Sequence, residues 1–394
     1  MLVALAGCST IFAVREQQRR ADQLTVISGV VATEIGKELA ARGHEIHFIS
    51  YAVPIKLNHT SERIYFHEVE MMNYPLFEHP PYALALATKM ADVALNQNLD
   101  LLHVHYAIPH SVSAYLAKEM LRPHRLPVIT TLHGTDITLV GNDRSYLPIT
   151  KFSIEKSDGV TAVSVYLRDL TYREFEVSRS IEMIPNFVNC DVLRRVENGD
   201  LRGKYAPQGE RILVHVSNFR PVKRVMDVVE IFDRVQKKVP SRLLMVGDGP
   251  DRSNAEWLVR SKRLGCQVFF LGKQDSIAEI LSISDLMLLP SETESFGLVA
   301  LEGMACEVPV VASSVGGVPE VVRHEKDGFL APVGDLDGMA ARAIEVLSDD
   351  KKRAAMGANA RQHAQDSFSS QKIITRYEVF YEQVIREVQS AAAV

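Results

Sequence analysis

Apolar and polar positions along this chain follow two periods that take turns. Val30–Arg42 sets Ile35, Leu39 and Ala40 on one side of a 3.6-residue repeat and stops at Gly43, which predicts a helix with a glycine terminator. Glu45–Ser50 and Ile64–Val69 predict strands, Pro80–Asn96 a helix and Leu101–His105 the next strand. Val112–Met120 reads as helix, and Pro127–Leu132, Gly159–Ser164 and Ile181–Pro185 read as strands. A polar, loosely patterned segment, Asn189–Glu210, interrupts the alternation. It resumes with strands at Arg211–Val216, Arg242–Gly247, Val268–Gly272, Asp285–Leu289 and Gly328–Ala331, and helices at Val225–Val239 and Ser276–Ser282. The tail Ile373–Val388 carries Ile374, Tyr377, Phe380, Tyr381 and Val384 at helical spacing. Strands and helices alternating at this spacing predict parallel sheets covered on both faces, an α/β fold of two doubly wound domains. Ligands of such sheets bind beyond the carboxyl ends of the strands, and two domains facing each other create one cleft.

The stretch Leu288–Val322 holds the densest pattern. An apolar strand end leads to a polar turn, a helix, a second apolar strand at Val308–Ala312 and a Gly-Gly turn. Glu294 precedes the helix, Ser295, Phe296 and Gly297 lead into it, and Glu302 lies about two turns along. A first helical turn has unpaired N–H groups and partial positive charge, so it can seat a phosphate. A carboxylate can accept from two neighbouring hydroxyls, which suits a sugar or ribose. The plain alternative is a surface helix with solvated glutamates.

Composition narrows the class. The length of 394 residues exceeds one typical core and predicts two domains. Hydrophobic residues at 46% and charged residues at 24% are ordinary globular values. A net charge of -5 gives no footprint for nucleic acid, and no apolar run is long enough to span a bilayer. Cys8, Cys190, Cys266 and Cys306 form no C-x-x-C pair, which argues against a disulfide framework or zinc site and predicts a cytoplasmic protein. Leu5-Ala6-Gly7-Cys8 resembles a lipoprotein box, yet no basic residue precedes it and the apolar run is shorter than the ~7–15 residues of a signal core.

The candidate chemistry lies just after predicted strands. Tyr106–His110 follows one, and His133-Gly134-Thr135-Asp136 another. Ser217–Arg224, Gly247–Pro250 and the Glu294 loop follow three more. Arg220 and Lys223 can neutralise a diphosphate, or make surface contacts at a helix entry. His133 can donate to a sugar hydroxyl or stabilise developing charge, or satisfy a local carbonyl. Asp136 caps the next segment or joins the site, and Tyr106 packs or binds. Gly247 marks a tight turn open to close backbone approach. The chain has no G-x-x-x-x-G-K-[ST] and no G-x-S-x-G, and no G-x-G-x-x-G follows its first readable strand. These absences disfavour the corresponding nucleotide hydrolases, serine hydrolases and nicotinamide enzymes.

The E-x7-E spacing from Glu294 to Glu302, with Ser217–Arg224, Gly247–Pro250 and Gly316–Glu320, resembles the retaining glycosyltransferases of family 4. Their GT-B architecture has two facing Rossmann-like domains with the active site in the cleft. Within the family, HVHYAIPH at 103–110, TLHGTDIT at 131–138 and HVSNFRPVKR at 215–224 are similar to members that move N-acetylglucosamine from UDP-N-acetylglucosamine to L-malate, the first step of bacillithiol biosynthesis. The resemblance implies that Glu302 holds the ribose and Glu294 the sugar hydroxyls, and that Phe296, Gly297 and Leu298 offer backbone to the phosphate. Lys223 neutralises the diphosphate beside Arg220 and Gly247, with Asn218 where many relatives carry Arg. His133 stands near the reacting face, and Ser28, Tyr106, Thr131 and Lys151 are the acceptor candidates. His133, Glu294 and Lys223 form the expected catalytic set. The implied reaction uses no metal and no cofactor, needs no membrane, and leaves a homo-oligomer open.

The expected partition is an acceptor-side domain at 1–190, a nucleotide-sugar domain at 191–372 and a helix at 373–394 packing back on the first domain. The start departs from the family. Relatives open with a short apolar strand and a G-G-S-G loop, whereas only Ser28-Gly29 survives here, after Val26-Ile27. A β-branched pair there does not adopt positive φ cheaply. Leu2–Ala6 or Leu24–Ile27 can supply the strand, and either residues 1–27 are not the natural start, which is the expectation, or the acceptor loop is altered; upstream sequencing of the gene tests this. Rival readings are another acceptor, a UDP-N-acetylglucosamine epimerase and a non-catalytic UDP-sugar binder.

Overall fold

The computed structural model describes residues 2–6, 28–51, 62–72, 74 and 79–391, with residues 2–6 and 28–30 by backbone alone. The chain divides into two compact units, Met1–Pro185 with Ile373–Val394, and Asn186–Lys372. Each unit is built on one parallel sheet.

In the first unit the strands are β1 (Leu2–Ala6), β2 (Glu45–Ser50), β3 (Ile64–Glu68), β4 (Leu101–His105), β5 (Val128–Leu132), β6 (Gly159–Ala162) and β7 (Ile181–Met183), in sheet order β3-β2-β1-β4-β5-β6-β7. Leu2–Ala6 therefore supplies the central strand, with Leu5 opposite Phe48 on one side and His103 on the other. Leu24–Ile27 and the expected glycine-rich loop before Ser28 lie outside the described residues. β4 and β5 are buried along their whole length, as a parallel sheet covered on both faces requires.

The helix Ser370–Ser390 completes this unit. Tyr377 and Tyr381 on its inner face are fully buried, and Phe380 and Val384 approach Gly159 so closely that a Cβ there would lie 2.8 Å from Val384 Cγ2. Glycine at the start of β6 leaves the room that these two side chains fill. Burying a large apolar side chain fully is worth about 1.5–3 kcal/mol against leaving it exposed, so this amphipathic face holds the helix in place.

The second unit contains β8 (Arg211–Val216), β9 (Ser241–Val246), β10 (Val268–Gly272), β11 (Leu286–Leu289), β12 (Val310–Ser313) and β13 (Gly328–Ala331), in order β10-β9-β8-β11-β12-β13. Its core includes Phe232 on Val225–Gln236, Met287 on β11 and Met339 on Leu336–Leu347, all with no exposed surface. The polar segment before β8 contains one helix that periodicity did not indicate, Gly199–Tyr205, capped by the Asn198 side chain on Leu201 N–H. It buries none of its residues, so no apolar stripe marked it. In both sheets the strand order reverses once, between β1 and β4 and between β8 and β11, and such switch points are where doubly wound sheets bind ligands. Among the described residues no helix is long and apolar enough to cross a membrane.

Candidate active site

In the first unit the candidate residues gather beyond β4 and β5. Residues two apart on a strand share a face, so β4 presents His103 and His105 together, their ring centroids 4.5 Å apart. The next residue, Tyr106, has φ 77 and ψ 133. A non-glycine residue held there costs on the order of 1–3 kcal/mol, and such strain clusters at functional sites. The Tyr106 N–H donates to Thr131 O at 2.8 Å, and its ring lies 4.9 Å from that of His133. His133 in turn has Nε2 2.7 Å from His105 Nδ1.

Asp136 ties these two loops together. It is 2% exposed, its Oδ1 accepts from Gly134 N–H at 2.8 Å and His133 N–H at 3.2 Å, and its Oδ2 accepts from Ala107 N–H at 2.9 Å. Burial raises its pKa, opposed by those N–H bonds. Asp136 thus organises the turn behind it and the neighbouring strand end.

Burial governs the histidines. It lowers the pKa of His103 and His133 to about 3 and of His110 to about 4, and holds His105 well below the usual value. The cluster is uncharged at neutral pH. Among the described residues no three His, Cys, Asp or Glu side chains are placed to hold a metal ion.

Thr131 differs from the expectation of a hydroxyl offered to an acceptor. It has no exposed surface, and its Oγ1 lies 2.7 Å from His103 Nε2 and 2.6 Å from Thr161 Oγ1. A hydroxyl has one donor and two acceptor positions, and buried partners take them up. His103 Nδ1 reaches Tyr381 OH at 2.7 Å, so Thr131 belongs to a network that ends on the C-terminal helix. Lys151 sits partly buried on the helix Leu147–Lys156, and Ser28 opens the helix Ser28–Ala41.

In the second unit the loops after β8, β9, β11 and β12 meet. Glu292 N–H donates to Val222 O at 2.8 Å, joining the first and third. Across that joint Lys223 Nζ lies 2.6 Å from Glu294 Oε1, which also accepts from Ser291 Oγ at 2.9 Å. Arg220 is exposed beside them, and Asn218 Oδ1 is buried without a partner among the described residues. An unpaired buried acceptor of this kind calls for an explanation, and a bound ligand is one. His215, behind the loop, is held neutral by burial, its pKa lowered to about 4.

Gly247 has φ +119, and a Cβ there would lie 1.8 Å from Ser217 O. What its turn admits is the chain's own backbone, the Ser217–Asn218 peptide. Gly317 does the same for the Glu294 loop: a Cβ would lie 2.4 Å from Ser295 O, and Gly317 N–H donates to Glu294 O at 3.0 Å. The Gly-Gly turn after β12 is the mould of the loop after β11.

Gly297, at φ +94, then starts the helix Leu298–Ala305 with no side-chain cap. Phe296 is 3% exposed and packs edge-on against Phe368. Gly297 thus has no side chain of its own to cap the first-turn N–H groups, while Glu302 stands partly exposed on the next turn. Cys306 beyond it is buried, its thiol pushed up to about 12, and is no nucleophile.

His105 was not singled out as a functional residue from the sequence. The signal was present as two histidines at i and i+2 on a buried strand beside a Leu132-His133-Gly134 strand end. Their partnership needed the adjacency of β4 and β5.

Two parallel Rossmann-like sheets with polar loops gathered at their strand ends define the GT-B glycosyltransferase architecture, and the chain belongs to glycosyltransferase family 4. Residues 28–192 match Glycosyltransferase Family 4, and residues 199–363 match Glycosyl transferases group 1. The chain is 49% identical over 361 residues, covering 91% of itself and 94% of the relative, to N-acetyl-alpha-D-glucosaminyl L-malate synthase of Bacillus anthracis. It is 29% identical over 289 residues, 67% of itself and 66% of the relative, to D-inositol 3-phosphate glycosyltransferase of Thermobispora bispora. Its fold is similar to that of sucrose-phosphate synthase from Thermosynechococcus elongatus, with TM-score 0.77 and 22% identity over 98% of this chain and 99% of that one. It is similar also to Anabaena HepE in complex with UDP and glucose, with TM-score 0.77 and 20% identity over 97% and 99%.

Proposed function

We propose that this glycosyltransferase moves N-acetylglucosamine from UDP-N-acetylglucosamine to the hydroxyl of L-malate with retention of configuration, as the first step of bacillithiol biosynthesis. The observation that carries the reading is the 49% identity, over 91% of the chain, to a relative named for the malate glycoside it makes. The second unit takes the donor. Glu302 accepts from the ribose hydroxyls, the amides of Phe296, Gly297 and Leu298 receive the phosphate, and Lys223 with Arg220 neutralises the diphosphate. Asn218 and the turn at Gly247 complete that half. Glu294, held by Ser291, turns to the sugar hydroxyls when the diphosphate draws Lys223 away from it.

The first unit takes the acceptor through Tyr106, Ser28 and Lys151, Thr131 stays in its buried network with His103 and Tyr381, and His133 is the residue expected to act on the sugar. As the bond from the anomeric carbon to the diphosphate oxygen breaks, the malate hydroxyl oxygen forms the new bond on the same face and its proton passes to the departing diphosphate. Lys223 and the helix N-terminus stabilise the charge that develops there, and preorganised electrostatics of this kind is commonly the largest catalytic term. The reaction as written calls for no metal.

UDP release from UDP-N-acetylglucosamine, measured across a panel of hydroxy acids and inositol phosphates, tests the reading. Malate is expected to stimulate release and to yield the α-glycoside. No stimulation by malate, or stimulation by an inositol phosphate in its place, overturns the acceptor assignment. Isomerisation of the donor without any acceptor overturns the transfer itself.

A further inference from the structure

The imidazoles of His105 and His133 share one hydrogen bond, between Nδ1 of the first and Nε2 of the second at 2.7 Å, and both are neutral. One proton therefore sits between them, and its owner decides the tautomer of His133. The surroundings of His105 settle the ownership. His105 has no exposed surface, and its Nε2 is buried with no hydrogen-bond partner among the described residues. If His105 accepted at Nδ1, its own proton would lie on Nε2 as a buried N–H with no acceptor. Orphaned buried N–H groups are the rarer kind in folded proteins, rarer than under-used acceptors. If His105 donates at Nδ1, only a lone pair is left bare.

Its neighbour follows the same pattern. His110 Nδ1 lies 2.6 Å from His105 O, a carbonyl that can only accept, so His110 is protonated at Nδ1, and its buried Nε2, which has no partner among the described residues, is again a lone pair. His133 is partly exposed, and its ring lies edge to edge with that of His105, the planes 24° apart and the centroids 5.0 Å apart. Its preference is set by the buried partner.

We propose that His105 is a positioning residue for the transfer, donating Nδ1–H to His133 Nε2 and fixing His133 as the Nδ1–H tautomer. His133 is then a neutral hydrogen-bond donor at Nδ1, and its Nε2 is occupied and does not serve as a base. The part played in turnover rests on the transferase reading above, whereas the tautomer does not.

Ring-nitrogen NMR of the full chain labelled with 15N-histidine tests it without any acceptor. His133 is expected to carry its proton on Nδ1 and to stay neutral between about pH 5 and 8. His105→Phe keeps a ring and loses the donor, and is expected to mix the His133 tautomers and lower kcat by about 10- to 100-fold, the usual effect of losing an orienting partner. His105→Asn places an amide N–H near the position of Nδ1 and is expected to restore both the tautomer and most of kcat. A His133 proton on Nε2 in the unaltered protein overturns the proposal, as does an Asn variant that folds and is as impaired as the Phe variant. If the Phe variant does not fold, the unaltered protein and the Asn variant decide. Failure of malate as acceptor leaves the NMR result standing, and a wrong tautomer leaves the malate result standing.

Discussion

Lys223 and Glu294, 71 positions apart in sequence, form an ion pair at 2.6 Å with side chains only 21% and 13% exposed. The strand ends that carry them are neighbours at the reversal of the second sheet. Removing one partner leaves a partly buried charge unpaired. Lys223→Ala is expected to lower the stability of the second unit by roughly 1–2 kcal/mol and turnover by at least about 100-fold. The double variant with Glu294→Gln should regain stability and stay inactive. Urea unfolding and UDP release check the two arms separately, and recovery of activity in the double variant would count against a diphosphate role for Lys223.

Two glycines with positive φ separate close packing from conformational strain. At Gly43 (φ +98) an added Cβ would meet nothing within 4 Å among the described residues, while at Gly247 (φ +119) it would meet Ser217 O at 1.8 Å. Gly43→Ala is expected to cost about 1–2 kcal/mol, the left-handed penalty alone. Gly247→Ala is expected to cost about 3 kcal/mol or more, because the loop after β8 must move as well, and UDP binding should weaken with it. Denaturant titration and UDP calorimetry on both variants provide the comparison.

Glu302 is expected to act on the nucleotide and not on the acceptor. Glu302→Ala should raise the Kd for UDP by about 10- to 100-fold, the loss of a hydrogen bond to a charged group, and leave the KM for malate unchanged. Tyr106→Phe should do the reverse, raising the KM for malate by about 3- to 10-fold with UDP affinity intact. Steady-state kinetics with each substrate varied checks both.

The neutral histidines make the first unit acid-sensitive. A group whose folded pKa lies below its unfolded value binds more protons when unfolded, so its contribution is complete above the unfolded pKa near 6.5 and is lost as pH falls toward the folded value. For His103 and His133 that value is about 3, and for His110 about 4. The thermal midpoint is expected to fall steadily between about pH 6.5 and 4.5, before most carboxylates titrate. Scanning calorimetry across that range checks it, and a flat midpoint would contradict a buried neutral cluster.

Much of this protein was legible in local pattern. Periods of two and 3.6 located β2, β4, β8, β10 and β13 at their observed ends, because short apolar runs bounded by turn residues mark strands whatever lies beside them. The positions of His133, Lys223, Gly247 and Glu294 just past strand ends followed from the same reading. Helices with weak stripes, such as Gly199–Tyr205 and Asp350–Phe368, were not indicated, since little of their surface is apolar. By itself the sequence determined which residues stand at strand ends and which strands are buried. Only the tertiary structure decided which ends adjoin. Sheet order puts β4 beside β5 and β8 beside β11, and thereby joins His105 to His133 and Lys223 to Glu294. Periodicity is a property of neighbours along the chain, whereas these pairs are made by strand order, which no local repeat encodes.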